Sequence, residues 1–156
     1  MRHLVIMRHA KAEHGYDKPD FERMLEPRGI ADADSVGGKL AALDLVPDTV
    51  LCSASRRTRD TLAAVLPHIG RDCVVHLRRS LYDAEVADLR DAVRTARGQC
   101  ILLIGHNPSV HGLALAFAGS NPEAAELQTG FPTSHAAVFS MGFAVDTVKF
   151  ERVVTP

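Results

Sequence analysis

The sequence has no surplus of charge, no apolar run long enough to span a bilayer, no low-complexity tract and no closely paired cysteines. Each shortage closes off a class of function. A formal net charge of −1 lacks the basic surplus that a general nucleic-acid binder carries, though it leaves room for a local group of arginines around a small anion. No apolar stretch approaches the ~20 residues of a membrane helix. Neither nucleic acid nor membrane is therefore an expected partner. Leu4 to Met7 is too short for the core of a signal peptide and runs straight into Arg8, His9 and Lys11. The three cysteines, Cys52, Cys73 and Cys100, are odd in number, form no CxxC pair and sit in or beside apolar runs. Reduced, buried thiols and a cytoplasmic location are the expectation.

What remains is an ordinary globular composition, 46% hydrophobic and 24% charged over 156 residues. That is most economically one domain, residues 1–156, large enough to bury a sizeable core. A strand is predicted over Leu4 to Met7, followed by a long polar loop from Ala12 to Arg28, a length that is often functional. Pro27 suits an early helix position. Ile30, Ala33, Val36, Leu40, Leu43 and Leu45 then recur at near-helical spacing, so a helix is expected to about Asp44. A second strand runs Asp48 to Cys52, ending at Ser53, and a helix follows from about Ser55 to Leu66. Cys73 to Leu77 reads as a third strand. Leu81-Tyr82-Asp83 leads into a helix from about Glu85 to Ala96. Cys100 to Ile104 is a buried strand that stops at Gly105-His106-Asn107-Pro108, before a helix to about Ala118. Pro122 to Pro132 reads as an irregular connection. Ala136 to Met141 and Val148 to Val153 would pair antiparallel across Gly142 to Asp146. Strands alternating with helices imply an α/β domain with a mainly parallel sheet.

In such sheets ligands bind at the carboxyl ends of the strands, and that rule gathers the reactive residues. Arg8 and His9 follow the first strand. Ser53 to Thr61 follows the second and opens a helix, whose free N–H groups and positive dipole end suit an anion. Arg57 lies within its first turn and can add a charge-assisted contact. Glycine and proline around His106 and Asn107 aim that histidine from the same rim. Three strand ends bearing His or Arg form one constellation, whereas alone the first segment also fits a solvated turn, the second a capped amphipathic helix, and His106 a core histidine satisfied by a carbonyl. Imidazole attacks phosphorus at neutral pH and guanidinium grips phosphate oxygens.

These blocks, in this order, resemble the histidine phosphatase superfamily. The resemblance runs through Arg8-His9-Ala10-Lys11, Leu25-Glu26-Pro27-Arg28-Gly29, the serine-to-Arg57-to-Thr61 segment, Leu81-Tyr82-Asp83 and Gly105-His106-Asn107-Pro108. The short chain and the Arg-His-Ala-Lys form look most like the SixA-type phosphohistidine phosphatases. Ala54, Glu26 and Asp60 depart from a frequent proline, threonine and glutamine, and none removes a group needed for chemistry.

The resemblance implies a phosphoglycerate-mutase-like three-layer sandwich with helices on both sheet faces. It implies that His9 accepts the phosphoryl group and that Arg8, Arg57 and His106 form the phosphate pocket. No metal or other cofactor is then required, and the sequence has no acidic cluster of the kind that holds Mg²⁺. A phosphorylated protein carrying phosphohistidine is the leading substrate. A small phosphomonoester is the alternative within the enzyme class, and a silent phosphoprotein-binding module the rival outside it. Asp83 and Glu85 are the candidates for a general acid, with helix capping as their other role. Lys11, Arg23 and Asn107 are candidate substrate-binding residues. Thr133 and Ser134 could add hydroxyls, while His3, His14, His68, His76, His111 and His135 read as structural.

Overall fold

Strict alternation along Leu4-Val5-Ile6-Met7 sends successive side chains to opposite faces of a strand. In a computed structural model, which describes residues 1–143 and 147–156, both faces are covered. Leu4 and Ile6 join one apolar cluster, and Val5 and Met7 join the other. The strand β1 spans Arg2–Arg8. The same division holds for β4, Cys100–Gly105: Ile101 and Leu103 face one side, Leu102 and Ile104 the other. Strands buried on both faces read as continuous apolar runs, which is why these two are the clearest in the sequence.

The remaining strands are β2 (Thr49–Ser53), β3 (Val74–Arg78), β5 (Ala136–Met141) and β6 (Val148–Val154). They form one six-stranded sheet in the order β3-β2-β4-β1-β5-β6. The first four run parallel, and β5 and β6 add an antiparallel edge. Helices α1 (Pro27–Ala42) and α2 (Arg56–Val65) cover one face; α3 (Val86–Thr95), α4 (Ser109–Ala118) and the short α5 (Ala125–Gln128) cover the other. This is the α/β sandwich expected. Part of the expected turn from Gly142 to Asp146 lies outside the described residues.

Several local expectations need correction. Helix α1 ends at Ala42, with Leu43 capping it and Asp44 in the left-handed region at φ 60°. Its buried stripe is Ala33, Val36, Gly37 and Leu40, while Ile30 and Leu43 are exposed. Strand β3 begins at Val74 and forms an edge of the sheet, so Cys73 precedes it and is only partly covered, unlike Cys52 and Cys100. The connection after Pro122 is more regular than expected, holding a 3-10 turn (Pro122–Ala124) and α5. Among the described residues no helix is long and apolar enough to cross a membrane.

Register places the strand ends. Arg8 pairs with Gly105 across β1 and β4, and Cys52 pairs with Ile104 across β2 and β4. Residues 9, 53 and 106 therefore leave neighbouring strands at one rim. The loop from Ala12 returns over this rim through an antiparallel bridge between Ala12 and Leu25. Gly29 seats it: a Cβ there would lie 2.2 Å from the Lys11 carbonyl oxygen, so only glycine allows the close approach.

Candidate active site

His9 is fixed at both backbone groups. Its N–H donates to the Gly105 carbonyl (3.0 Å), and its carbonyl accepts from the Ser134 N–H (3.2 Å). The ring is oriented as well, since Nδ1 lies 2.8 Å from the Ala10 carbonyl. A carbonyl can only accept, so Nδ1 carries the hydrogen and Nε2 keeps its lone pair. Thr61 locks the next residue: its hydroxyl accepts from the Ala10 N–H (2.9 Å) and donates to the Arg57 carbonyl (2.8 Å). One side chain thereby joins the end of β1 to the first turn of α2.

Around His9 stand three groups from three strand ends. Arg8 donates through Nη1 to the Phe131 carbonyl (3.2 Å). Arg57 is buried at 6% exposure, and the His106 ring lies 5.4 Å from that of His9, centroid to centroid. Ser53, at the end of β2, sits 2.8 Å from His106 Nε2. Arg8 Nε, Arg57 Nε and His106 Nδ1 are buried without a hydrogen-bond partner among the described residues. Burying such groups costs free energy unless something satisfies them. Three unpaired nitrogens, two of them on guanidinium groups, suit the oxygens of a tetrahedral anion.

The electrostatics agree. Burial pushes the His9 imidazole down to about 4, and the cations of Arg57, Arg8 and Arg23 act in the same direction against the Ala10 hydrogen bond. His106 is pushed down to about 3, first by burial and then by Arg57 and His9, with Asp20 opposing. Both imidazoles are neutral at pH 7. Nε2 of His9 then keeps a free lone pair, with a second neutral imidazole beside it.

The other candidates divide. Arg23 joins the cluster through Asp20, with its Nε 3.1 Å from Asp20 Oδ1 and its Nη1 donating to the Glu13 carbonyl (3.0 Å). Asn107 donates through Nδ2 to the Phe131 carbonyl (2.9 Å), the same oxygen that Arg8 uses. Lys11 is exposed, and its carbonyl accepts from the Glu26 N–H (2.9 Å). Asp83 is exposed, and Glu85 is the exposed residue before α3, whose N–H donates to Asp88 Oδ2 (2.9 Å). The carboxylate actually brought to Arg57 is Asp20, which the sequence reading passed over inside a polar loop. Tyr82 arrives with it: its ring packs edge-on against His106 (5.5 Å) and Phe21 (5.0 Å). Ser134 lies against His9 through its backbone, and its buried hydroxyl has no hydrogen-bond partner among the described residues. Among the described residues no group of three or more His, Cys, Asp or Glu is arranged to hold a metal ion.

Comparison with known proteins gives this geometry a context. The family profile of the histidine phosphatase superfamily (branch 1) matches residues 4–89. An uncharacterized protein of Mycobacterium leprae is 34% identical, covering 86% of this chain and 87% of its own. One from Mycobacterium tuberculosis is 37% identical over 85% of each chain. A solved structure from Nakamurella multipartitia that bears the name SixA superposes with a TM-score of 0.87 at 28% identity, covering 99% of this chain and 96% of that one. Its counterpart from Agrobacterium tumefaciens gives 0.87 at 27% identity, covering 99% and 98%.

Proposed function

The chain belongs to the histidine phosphatase superfamily, and on that premise we propose that this phosphatase removes phosphate from phosphohistidine in a protein partner, with His9 as the phosphoryl acceptor. One observation carries the proposal. The Nδ1–H of His9 is bound to Ala10, so the lone pair on Nε2 is left among the unpaired nitrogens of Arg8, Arg57 and His106.

Nε2 of His9 attacks phosphorus and the bond from phosphorus to the substrate's leaving atom breaks. Arg8 and Arg57 hold the equatorial oxygens, and such positioning and charge stabilisation is most of phosphoryl-transfer catalysis. With the Ser53 hydroxyl donating to Nε2 of His106, Nδ1–H of His106 is a further donor to those oxygens. Water then attacks phospho-His9 in line, releasing phosphate and restoring the free imidazole. The positive charge that a metal supplies to other phosphatases comes from guanidinium groups, so the scheme is metal-independent.

The substrate class follows from the leaving group. An alkoxide leaving a phosphoester needs a proton, and Asp83 and Glu85 are exposed, with no hydrogen bond to Arg8, His9, Arg57 or His106 among the described residues. Asp20 is held ionised below the usual carboxylate range, chiefly by the hydrogen bond from Tyr82 and by Arg57, so it has no proton to give. Transfer from phosphohistidine to His9 exchanges one P–N bond for another and makes no alkoxide. The names of the two SixA structures support the same class.

Two measurements test this. Acid-quenched protein should carry phosphate on His9, and His9→Ala should carry none. A panel of a phosphohistidine protein against common phosphomonoesters should favour the former. Equal or faster hydrolysis of alkyl phosphates would refute the substrate class, and no trapped phosphate with no turnover would leave a binding module.

A further inference from the structure

Arg57 does not stand free in the pocket. Its Nη1 donates to the Asp20 carbonyl (2.8 Å), and its Nη2 donates to Asp20 Oδ2 (3.1 Å). A single residue of the entrance loop therefore grips both terminal nitrogens of the guanidinium. The Tyr82 hydroxyl donates to the same Oδ2, and Arg23 Nε lies 3.1 Å from Oδ1. The Tyr82 ring closes the arrangement, with the Arg57 guanidinium carbon 5.9 Å from its centroid. Phe21 packs edge-on against that ring, and Arg79 lies over Phe21 at 4.4 Å. Three segments remote in sequence, the 3-10 turn Asp20–Glu22, the start of α2 and the end of the 3-10 turn after β3, converge on one carboxylate.

We propose that Asp20 is a positioning residue for the phosphoryl clamp, acting through Arg57 and held in turn by Tyr82. The inference rests on the phosphatase reading above. A guanidinium has five N–H donors in a rigid plane. Asp20 takes two of them, one on each terminal nitrogen. The Nε–H and one hydrogen on each terminal nitrogen remain for phosphoryl oxygens, and Nε is buried and unpaired. Two points of attachment fix the plane as well as the place of the group. A single ion pair would leave the guanidinium free to turn. The carboxylate also stands between Arg57 and Arg23, which would otherwise face each other with no anion between them. Asp20 touches neither nucleophile nor substrate in this scheme, and its effect must pass through Arg57.

That requirement supplies the test. Asp20→Ala, Arg57→Ala and the double variant are compared with the unchanged protein, with the phosphohistidine protein as substrate and tungstate as an inhibitory oxyanion. Asp20→Ala should lower kcat about tenfold or more and change KM by less than about threefold, because a misplaced clamp fails chiefly in the transition state. In the Arg57→Ala background the same change should cost less than about twofold, since residues acting as one unit are not additive. Tyr82→Phe keeps the ring and removes only the hydroxyl, so it should lower kcat in the same direction by a smaller factor, with its melting temperature as the folding control. Multiplying losses in the double variant would overturn the inference. So would an unchanged kcat in Asp20→Ala, or a raised kcat with tighter tungstate inhibition, which would make Asp20 a competitor for the phosphate site. An unchanged protein with no turnover would overturn the phosphatase reading itself, and the positioning role with it.

Discussion

Lowering the pH from 7.5 to 5 should destabilise this protein through two side chains. His9 and His106 are held neutral by burial, with folded-state values of about 4 and about 3, against about 6.5 in an unfolded chain. Between those limits the unfolded state binds protons that the folded state refuses, so stability rises with pH through this window and falls as the pH is lowered. At pH 5 each histidine sits about 1.5 units below its unfolded value, a loss of about 2 kcal/mol apiece and about 4 kcal/mol together. That figure requires only that both folded values lie below 5. It is a large share of the 5–15 kcal/mol typical of a domain, and for a chain of this size should lower Tm by about 8–16 °C. Asp20 works in a separate window. Its folded value is depressed, so its stabilisation is present above the ordinary carboxylate value of about 4 and is lost only as the pH falls through the lowered one. Calorimetry and urea titration from pH 7.5 to 5 would measure the slope, and His106→Asn should remove about half of it. Flat stability across that range, or a full slope in His106→Asn, would refute the argument.

Two further outcomes follow from the joints around the site. Thr61→Val strands the buried Ala10 N–H without its acceptor, which should cost about 1–3 kcal/mol in denaturant unfolding and also lower kcat, because the same hydroxyl ties Arg57's helix to the end of β1. Gly29→Ala drives a methyl group into the Lys11 carbonyl and should destabilise by more than about 1 kcal/mol. Retention of full stability in that variant would show that the entrance loop shifts to accommodate it.

Much of the site was legible because each strand end announces itself locally. Arg8 and His9 follow an apolar run, His106 sits between a glycine and a proline, and Arg57 lies one step inside a helix start. Parallel α/β topology then brings strand ends together without any knowledge of side chains. Asp20 gave no such signal. It lies in a polar loop with no periodicity, and its partner is 37 residues away in sequence, so only the folded chain reveals the pairing. Tyr82 belongs to the Leu81-Tyr82-Asp83 motif, in which the acidic residue that suggests a proton donor, Asp83, is exposed. Edge effects account for the misread Cys73. Val74, Val75 and Leu77 look like core, but β3 has a neighbour on one side only and leaves them exposed.

The wall of the pocket formed by residues 131–135 is built from main chain. The Phe131 carbonyl accepts from both Arg8 and Asn107, the Ser134 N–H holds the His9 carbonyl, and the His135 carbonyl holds the Arg8 N–H. Main-chain groups do not depend on the chemistry of the side chains they carry, but two positions are constrained otherwise: Phe131 is buried in the core, and Ser134, buried at φ 65°, excludes proline and disfavours β-branched residues. What this segment must preserve is its spacing. A drifting sequence could exchange letters at 132, 133 and 135, which are not buried, and keep the site, whereas one residue gained or lost between 131 and 134 would move an anchor by about 3.3 Å, the reach of one residue. Divergent descendants of this protein should therefore vary in spelling across the segment while keeping its length.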